Sequence, residues 1–275
     1  MADISASDVK KLRNMTGAGM MDCKKALVES GGDFEKAADI IRKKGQAIAN
    51  KRADREATEG VVLAKVTSDA TRGAVMVMNS ETDFVAKNEG FVALANSILD
   101  LALDKDPASL EELKQLEMNG VKVEDHIVQQ IGIIGEKIDI SYYEKLEAPQ
   151  VTPYIHPGNK LATLVGMNKK ADQQVGKDLA MQVAAMNPVA VDKENIPQSV
   201  IDKEIEIGKE QARLEGKPEE MLERIAMGKL NKFYKESTLL NQDFTKDNKK
   251  TVRQYLQEFD KSLTVTAFIR FGLGN

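Results

Sequence analysis

The feature that most constrains this chain is a change of hydrophobic period at Gly60. Before it, apolar residues recur at helical spacing in three short stretches punctuated by glycines. After it come two nearly continuous apolar runs, Val61-Val62-Leu63-Ala64-Lys65-Val66 and Ala74-Val75-Met76-Val77-Met78, on either side of a polar turn at Ser68 to Gly73. Such runs predict a β-hairpin with at least one strand buried on both faces. A chain that switches period this way is neither a plain helical bundle nor a barrel. It predicts a small helical head followed by an α+β core.

The head reads helix by helix. Ser5 with Asp8 three residues on is an N-cap pattern, and Val9 and Leu12 supply a short stripe. Thr16-Gly17-Ala18-Gly19 breaks that helix, and Met20 to Ser30 forms a second, with Met21, Ala26 and Leu27 available for one side. Gly31-Gly32 ends it, and Asp33 caps a third carrying Phe34, Ala37, Ala38 and Ile41, with Arg42-Lys43-Lys44 in the last turn before Gly45. Residues 1–45 are therefore expected as a three-helix domain. Residues 46–57 have too narrow an apolar face for a core and are expected as a helical linker.

Beyond the first hairpin, Gly90 to Leu103 predicts a helix with Phe91, Leu94, Ala95, Ile98, Leu101 and Ala102 inward, followed by helical segments near 108–118 and 124–134. These make a first core subdomain, 58–135. The order then recurs: strands at Ile138 to Leu146, Tyr154 to His156 and Leu161 to Met167, and an apolar helix at Val175 to Met186. Matching 74–103 with 161–186 suggests one duplicated α+β unit. The second subdomain covers 136–197 and 236–275, closing with a helix near 249–260 and a strand at Leu263 to Phe271. Between its parts, 198–235 predicts an antiparallel helical hairpin turning at Gly216-Lys217-Pro218. Arms of about 16 residues would project on the order of 24 Å.

Composition narrows the function. One Cys and two His among 275 residues cannot build a disulfide or a Cys-rich zinc site. Residues 1–55 hold 12 Lys/Arg against 8 Asp/Glu, but the whole chain carries −4, and no basic block is interleaved with aromatics. Nucleic acid is not the expected partner. Met1-Ala2-Asp3-Ile4-Ser5 lacks a basic, apolar leader and no stretch approaches a membrane span, so a cytoplasmic protein is expected.

Few residues invite chemistry. Gly17-Ala18-Gly19 lacks the Gly-Lys-Ser/Thr of a phosphate loop and reads as a tight turn. Met20 and Met21 suit either core packing or an adaptable contact. Cys23, beside Lys24 and Lys25, is either a nucleophile or a small half-buried filler. His126 is expected to be a partly exposed filler, and His156, in Tyr154-Ile155-His156-Pro157-Gly158, either caps a turn or meets a partner. The segment Ser80-Glu81-Thr82-Asp83-Phe84-Val85-Ala86-Lys87-Asn88 has two readings. Thr82 or Asp83 caps the next helix while Phe84 staples it to the core, or the loop presents an apolar wedge beside a carboxylate to another protein. No catalytic constellation and no cofactor site is legible.

Two long segments carry a resemblance. Leu12-Arg13-Asn14-Met15-Thr16-Gly17-Ala18-Gly19-Met20-Met21-Asp22-Cys23-Lys24-Lys25-Ala26-Leu27 and Glu81-Thr82-Asp83-Phe84-Val85-Ala86-Lys87-Asn88-Glu89-Gly90-Phe91 resemble the two signature motifs of the bacterial elongation factor Ts family. With the hairpin insertion and the closing Phe268-Ile269-Arg270-Phe271, the resemblance covers nearly the whole chain. It implies a ubiquitin-associated-like head, two α+β subdomains, and guanine-nucleotide exchange on elongation factor Tu with no cofactor and no enzyme chemistry. It further implies that Thr82, Asp83, Phe84 and Val85 press beside the Mg²⁺ and phosphate site of the partner's GTPase domain. Arg13, Met20 and Met21 would grip the same domain, and Ile134 and His156 would contact the partner from the core. Pro157 and Leu161-Ala162 depart from the family's usual residues. The end at Asn275 leaves no room for the C-terminal helical module of some members, which would shift affinity toward the head and the wedge. A pure binding adapter, with a partner-recognising head and a core that forms a homodimer, is the alternative.

Overall fold

Residues 4–274 are described by the structure, a computed structural model; Met1, Ala2 and Asp3 of the stretch read for a leader, and Asn275, lie outside the described residues. Ser5 starts α1 (Ala6–Thr16) through a reciprocal capping box with Asp8, and Gly17 ends it in the left-handed conformation at φ 69°. Helix α2 (Met20–Glu29) buries Cys23, Ala26 and Leu27, and α3 (Phe34–Arg52) begins on the side chain of Asp33. Val9, Leu12, Ala18, Cys23, Ala26, Leu27 and Ala37 form the core of the head.

The expected stop at Gly45 does not occur: the first part of the segment expected as a helical linker is helical, but as a continuation of α3. α3 runs straight through Gly45 to Arg52, and Ile48 and Ala49 pack on the first core of the body. Gly45 is in mid-helix for a packing reason. A Cβ there would lie 3.2 Å from the Val128 carbonyl oxygen, and one on Gly132 would lie 2.8 Å from the Gly45 Cα. The two glycines let α3 cross the helix that carries Gly132 with backbones nearly touching.

The body begins with β1 (Glu59–Val66) and β2 (Arg72–Ser80), paired antiparallel from Glu59↔Ser80 to Val66↔Gly73. A single helical turn, α4 (Asp83–Ala86), precedes α5 (Glu89–Lys105) and α6 (Leu110–Gln115). The two-residue strands β3 (Glu117–Met118) and β4 (Val121–Lys122) lead into α7 (Val123–Ile134). Strand β5 (Ile138–Glu147) was expected in the second subdomain; it pairs with β2 and completes a first sheet of order β1-β2-β5. The strand is legible locally, but its partner, some 60 residues earlier, is not.

Strands β6 (Gln150–Ile155) and β7 (Leu161–Met167) form the next hairpin, followed by α8 (Gln173–Met186). The excursion α9 (Gln198–Leu214) and α10 (Glu219–Ser237) is an antiparallel pair, so close that a Cβ on Gly208 would be 3.1 Å from the Ala226 Cα. Pro218 stands at the N-cap of α10. Short strands β8 (Asp243–Phe244) and β9 (Asp247–Thr251) lead into α11 (Val252–Phe259), and β10 (Val265–Gly272) closes a second sheet of order β10-β7-β6. Pro153 is tolerated because β6 is an edge strand.

The sheets pack face to face. Val62, Ala64, Val75 and Val77 of the first meet Val151, Ala162, Leu164 and Ile269 of the second. The opposite face of the first sheet, with Val61, Leu63, Met76 and Met78, is covered by α5 and α7. That of the second, with Val165, Met167 and Val265, is covered by α8 and α11. β1 and β2 are thus buried on both faces, which accounts for their continuous apolar runs. The class is α+β, with four layers in the body. Among the described residues no helix is long and apolar enough to cross a membrane.

Candidate functional site

The joint between β2 and α5 departs from an ordinary strand-to-helix turn. Asn88, not Thr82 or Asp83, caps α5, its Oδ1 accepting from the Gly90 and Phe91 N–H groups at 2.9 and 3.3 Å. That leaves 83–86 free to form α4, a turn of its own. Val85 packs on the first core and Ala86 is buried. Phe84 points the other way and is 82% exposed. The staple reading of Phe84 is therefore overturned, because the Phe that staples this helix to the core is Phe91.

Around this tip the structure gathers charge and apolar surface. Asp83 Oδ2 accepts from Lys87 Nζ at 2.6 Å, one helical turn on. That hydrogen bond, with the charges of Lys87 and Lys160, holds the Asp83 carboxyl below its ordinary range, so it is ionised at neutral pH. Phe84, Val85, Gln130, Ile133 and Ile134 border one shallow depression. Ile134, read in the sequence as a core-borne contact, borders this depression half-buried against the first core, and its neighbour Ile133, not singled out in the sequence, is 40% exposed.

The head abuts the same place. A Cβ on Gly17 would meet Ile133 Cδ1 at 3.1 Å, so the turn between α1 and α2 rests on the end of α7. Met20 and Met21 follow that turn at 45% and 65% exposure. Of the two readings of Met21, core packing is not the one adopted, because Cys23 fills the head core instead, its Sγ 3.6 Å from the Ala18 carbonyl oxygen. Arg13 is exposed on α1, and its carbonyl accepts from the Gly17 N–H at 2.7 Å. Cys23 is fully buried rather than half-buried, which removes it as a nucleophile.

His156 opens the β6–β7 turn, exposed, with its ring Nδ1 3.0 Å from the Tyr154 hydroxyl and its backbone N–H bonded to the Leu161 carbonyl at 2.8 Å. The same turn bonds to β1: the Asn159 carbonyl accepts from the Val62 N–H at 2.7 Å, and Lys160 Nζ reaches Glu59 at 2.7 Å. Since Glu59 pairs with Ser80, the turn sits at the end of the sheet from which the 83–86 turn departs. His126 lies elsewhere, its Nε2 2.9 Å from the Met118 carbonyl.

Local sequence reasoning also missed the supports beneath the tip. Glu81 accepts from Arg52 Nη1 at 3.1 Å on each oxygen and from the Lys137 N–H at 2.6 Å; Glu136 accepts from the Thr82 N–H at 3.0 Å and its hydroxyl at 2.8 Å. Glu136 stands next to Ile134-Gly135, the only local signal available for it. Among the described residues no group of His, Cys, Asp and Glu is placed to hold a metal ion. What the arrangement offers is a hydrogen-bonded apolar tip with an anionic neighbour, flanked by exposed Met and Ile side chains, suited to binding another protein.

Comparison with known proteins agrees on one family. The family described as Elongation factor TS matches residues 81–275. The Elongation factor Ts of Christiangramia forsetii is 51% identical over 276 residues, covering 100% of each chain. That of Amoebophilus asiaticus is 53% identical over 274 residues, 98% of this chain and 99% of its own. The Elongation factor Ts of Chlorobium phaeobacteroides is 45% identical over 287 residues, again covering both chains in full.

Proposed function

The chain belongs to the elongation factor Ts family, and from that premise we propose that it is a cytoplasmic guanine-nucleotide exchange factor for elongation factor Tu that uses the Thr82–Val85 turn as a wedge. The observation that carries this is Phe84, an aromatic side chain 82% exposed on a turn whose neighbours are all tied down. Solvent exposure of that size has no stabilising role in the fold; it is useful against a partner.

In this reading Phe84 enters the partner beside the helices that flank its Mg²⁺ and phosphate site, with Asp83 next to it as an anion. The backbone amides and cation that neutralise a diphosphate lose their alignment, and GDP leaves faster. Factor and nucleotide weaken each other's binding reciprocally, so no covalent step and no catalytic residue is required. Arg13, Met20 and Met21 on a ubiquitin-associated-like head grip the GTPase domain, while Ile134 and His156 contact the partner from the body. The two sheets are read as one duplicated unit, since each follows a hairpin, a covering helix, a second small hairpin, another helix and a closing strand.

The test is stopped-flow release of fluorescent GDP from elongation factor Tu. Phe84→Ala is expected to slow catalysed release about 100-fold, the size of a hot-spot truncation, with unfolding unchanged. Release at the wild-type rate by Phe84→Ala would sink the wedge.

A further inference from the structure

The wedge is anchored by residues far from it in sequence. Thr82 occupies the N-cap of α4, where a threonine oxygen ordinarily accepts from first-turn N–H groups, yet it makes no such bond. Its hydroxyl is turned away, donating to Glu136 Oε1 at 2.8 Å, and its backbone N–H donates to Oε2 at 3.0 Å. The residue before it is held in the same manner, Glu81 accepting from the Lys137 N–H and from Arg52 at the end of α3. The buried Ser80 hydroxyl donates to the Thr82 carbonyl at 2.9 Å. Every residue from 80 to 82 is tied to something other than the helix it introduces.

An uncapped helix of four residues has no stability of its own. With an exposed aromatic at its second position, it would fray and present Phe84 in many directions. Ordering it on contact would then be charged against binding. A carboxylate that takes both donors of Thr82 removes that freedom beforehand, at the sacrifice of the local cap. We propose that Glu136 is the positioning residue of the wedge: it fixes the backbone from which Asp83 and Phe84 project, and the Glu81–Arg52 pair ties that backbone to the last helix of the head. This rests on the exchange reading above.

The experiment is a double-mutant cycle on the full chain, again measuring release of fluorescent GDP from elongation factor Tu. Glu136→Ala is expected to slow release about tenfold, the scale of losing two charge-assisted hydrogen bonds at a binding element. Glu136→Gln is expected to stay within about twofold of wild type, because a carboxamide can accept from the Thr82 N–H and donate to its hydroxyl oxygen. In a Phe84→Ala background, Glu136→Ala is expected to add nothing, there being no wedge left to position. Wild-type release by Glu136→Ala, or a full further loss in the Phe84→Ala background, overturns the assignment; the second outcome would mean that Glu136 acts through the fold at large. Should Glu136→Ala fail a thermal-unfolding check, Thr82→Val removes the hydroxyl arm alone and runs through the same cycle. Wild-type release by Phe84→Ala is a separate result, removing the wedge itself and its anchor with it.

Discussion

The two sheet-and-helix units follow the same order of elements but keep their polar groups in different places. In the first, the covering helix α5 buries only apolar side chains, Phe91, Ala95, Ile98, Leu99 and Ala102. Its hydrogen-bonded carboxylates lie at the joint, beneath the 83–86 turn. In the second, the joint 168–172 is tied to its surroundings, Asn168 Nδ2 donating to the Ser262 carbonyl at 2.7 Å and Gln150 Oε1 accepting from the Ala171 N–H at 2.6 Å. There the polar groups have moved indoors. Asp178 of α8 accepts from Tyr255 Oη at 2.9 Å and from Lys246 and Gln174 at 2.6 Å, and the Gln182 carboxamide reaches Gln242 and the Asp243 carbonyl at 3.2 Å. Gln242 in turn donates to the Glu236 carbonyl at 2.9 Å, at the root of the α9–α10 excursion. Each unit concentrates hydrogen bonds shielded from solvent where it departs from the shared plan: the 83–86 turn in one, a projecting hairpin in the other.

The sharpest way to break this contrast is at two phenylalanines seven residues apart. Phe91→Ala empties a fully packed site and is expected to destabilise the fold by about 4 kcal/mol. Phe84→Ala is expected to stay within about 0.5 kcal/mol of wild type, since the side chain is left almost wholly in solvent. Denaturant unfolding of both variants measures it. Comparable losses would mean that the wedge joint belongs to the core.

Asp178 tests the second unit. Asp178→Ala leaves the Tyr255 hydroxyl and the Gln174 carboxamide without their acceptor and is expected to cost about 2–3 kcal/mol. Burial pushes the Asp178 carboxyl up, but hydrogen bonds from Lys246, Gln174 and Tyr255, with the Lys246 charge, outweigh it and hold the carboxyl below its ordinary range. A carboxylate depressed in the folded state contributes stability above its unfolded pKa and loses it as pH falls through the folded value. Melting temperature should therefore drop more steeply below about pH 4 in wild type than in Asp178→Asn. Parallel curves would remove Asp178 from the acid sensitivity.

How much of this was legible in the sequence follows from the range of each interaction. The capping box at Ser5, the hairpin at β1–β2, strand β7 and the helical excursion depend on neighbours within a few residues, and local patterns found them. Gly45 was misjudged because in a helix-ending context glycine signals a stop, and its true reason, the crossing with Gly132, lies 87 residues away. Strand β5 was assigned to the wrong sheet for the same reason. At the site, Phe84 and Asp83 were legible as residues but not as a geometry. Exposure of Phe84 depends on Asn88 taking the cap and on Glu136 taking Thr82, and only the first of these is local.

Gly45 also yields a prediction whose sign is decisive. Were it only a helix stop, Gly45→Ala would lengthen and stabilise α3, since alanine is favoured over glycine in a helix by about 1 kcal/mol. With the Val128 carbonyl 3.2 Å from the new methyl and backbone rather than a flexible side chain in the way, overpacking of about 1–3 kcal/mol is expected to exceed that gain. The net is a loss of about 1 kcal/mol. Chemical denaturation resolves a change of that size, and a gain in stability would show that the two helices can part.

The smallest expected effect isolates what anchoring adds to exposure. Among the described residues, Phe84 at 82% and Leu214 at 81% are the two most exposed large apolar side chains. Leu214 is the last residue of α9, at the tip of the excursion, where Gly216 turns the chain and the nearby Arg213–Glu219 and Arg213–Glu210 pairs are themselves solvent-exposed. Exposed pairs of this kind contribute little. Among the described residues no side-chain carboxylate accepts from the Leu214 backbone as the half-buried Glu136 accepts from Thr82. If exposure alone made a contact residue, Leu214→Ala would slow nucleotide release as much as is expected of Phe84→Ala. If a fixed backbone is what converts exposed apolar surface into binding energy, Leu214→Ala should change release by less than about twofold and stability by less than about 0.5 kcal/mol. A loss approaching that of Phe84→Ala would move the functional surface outward along the hairpin and make the second unit an equal partner in exchange.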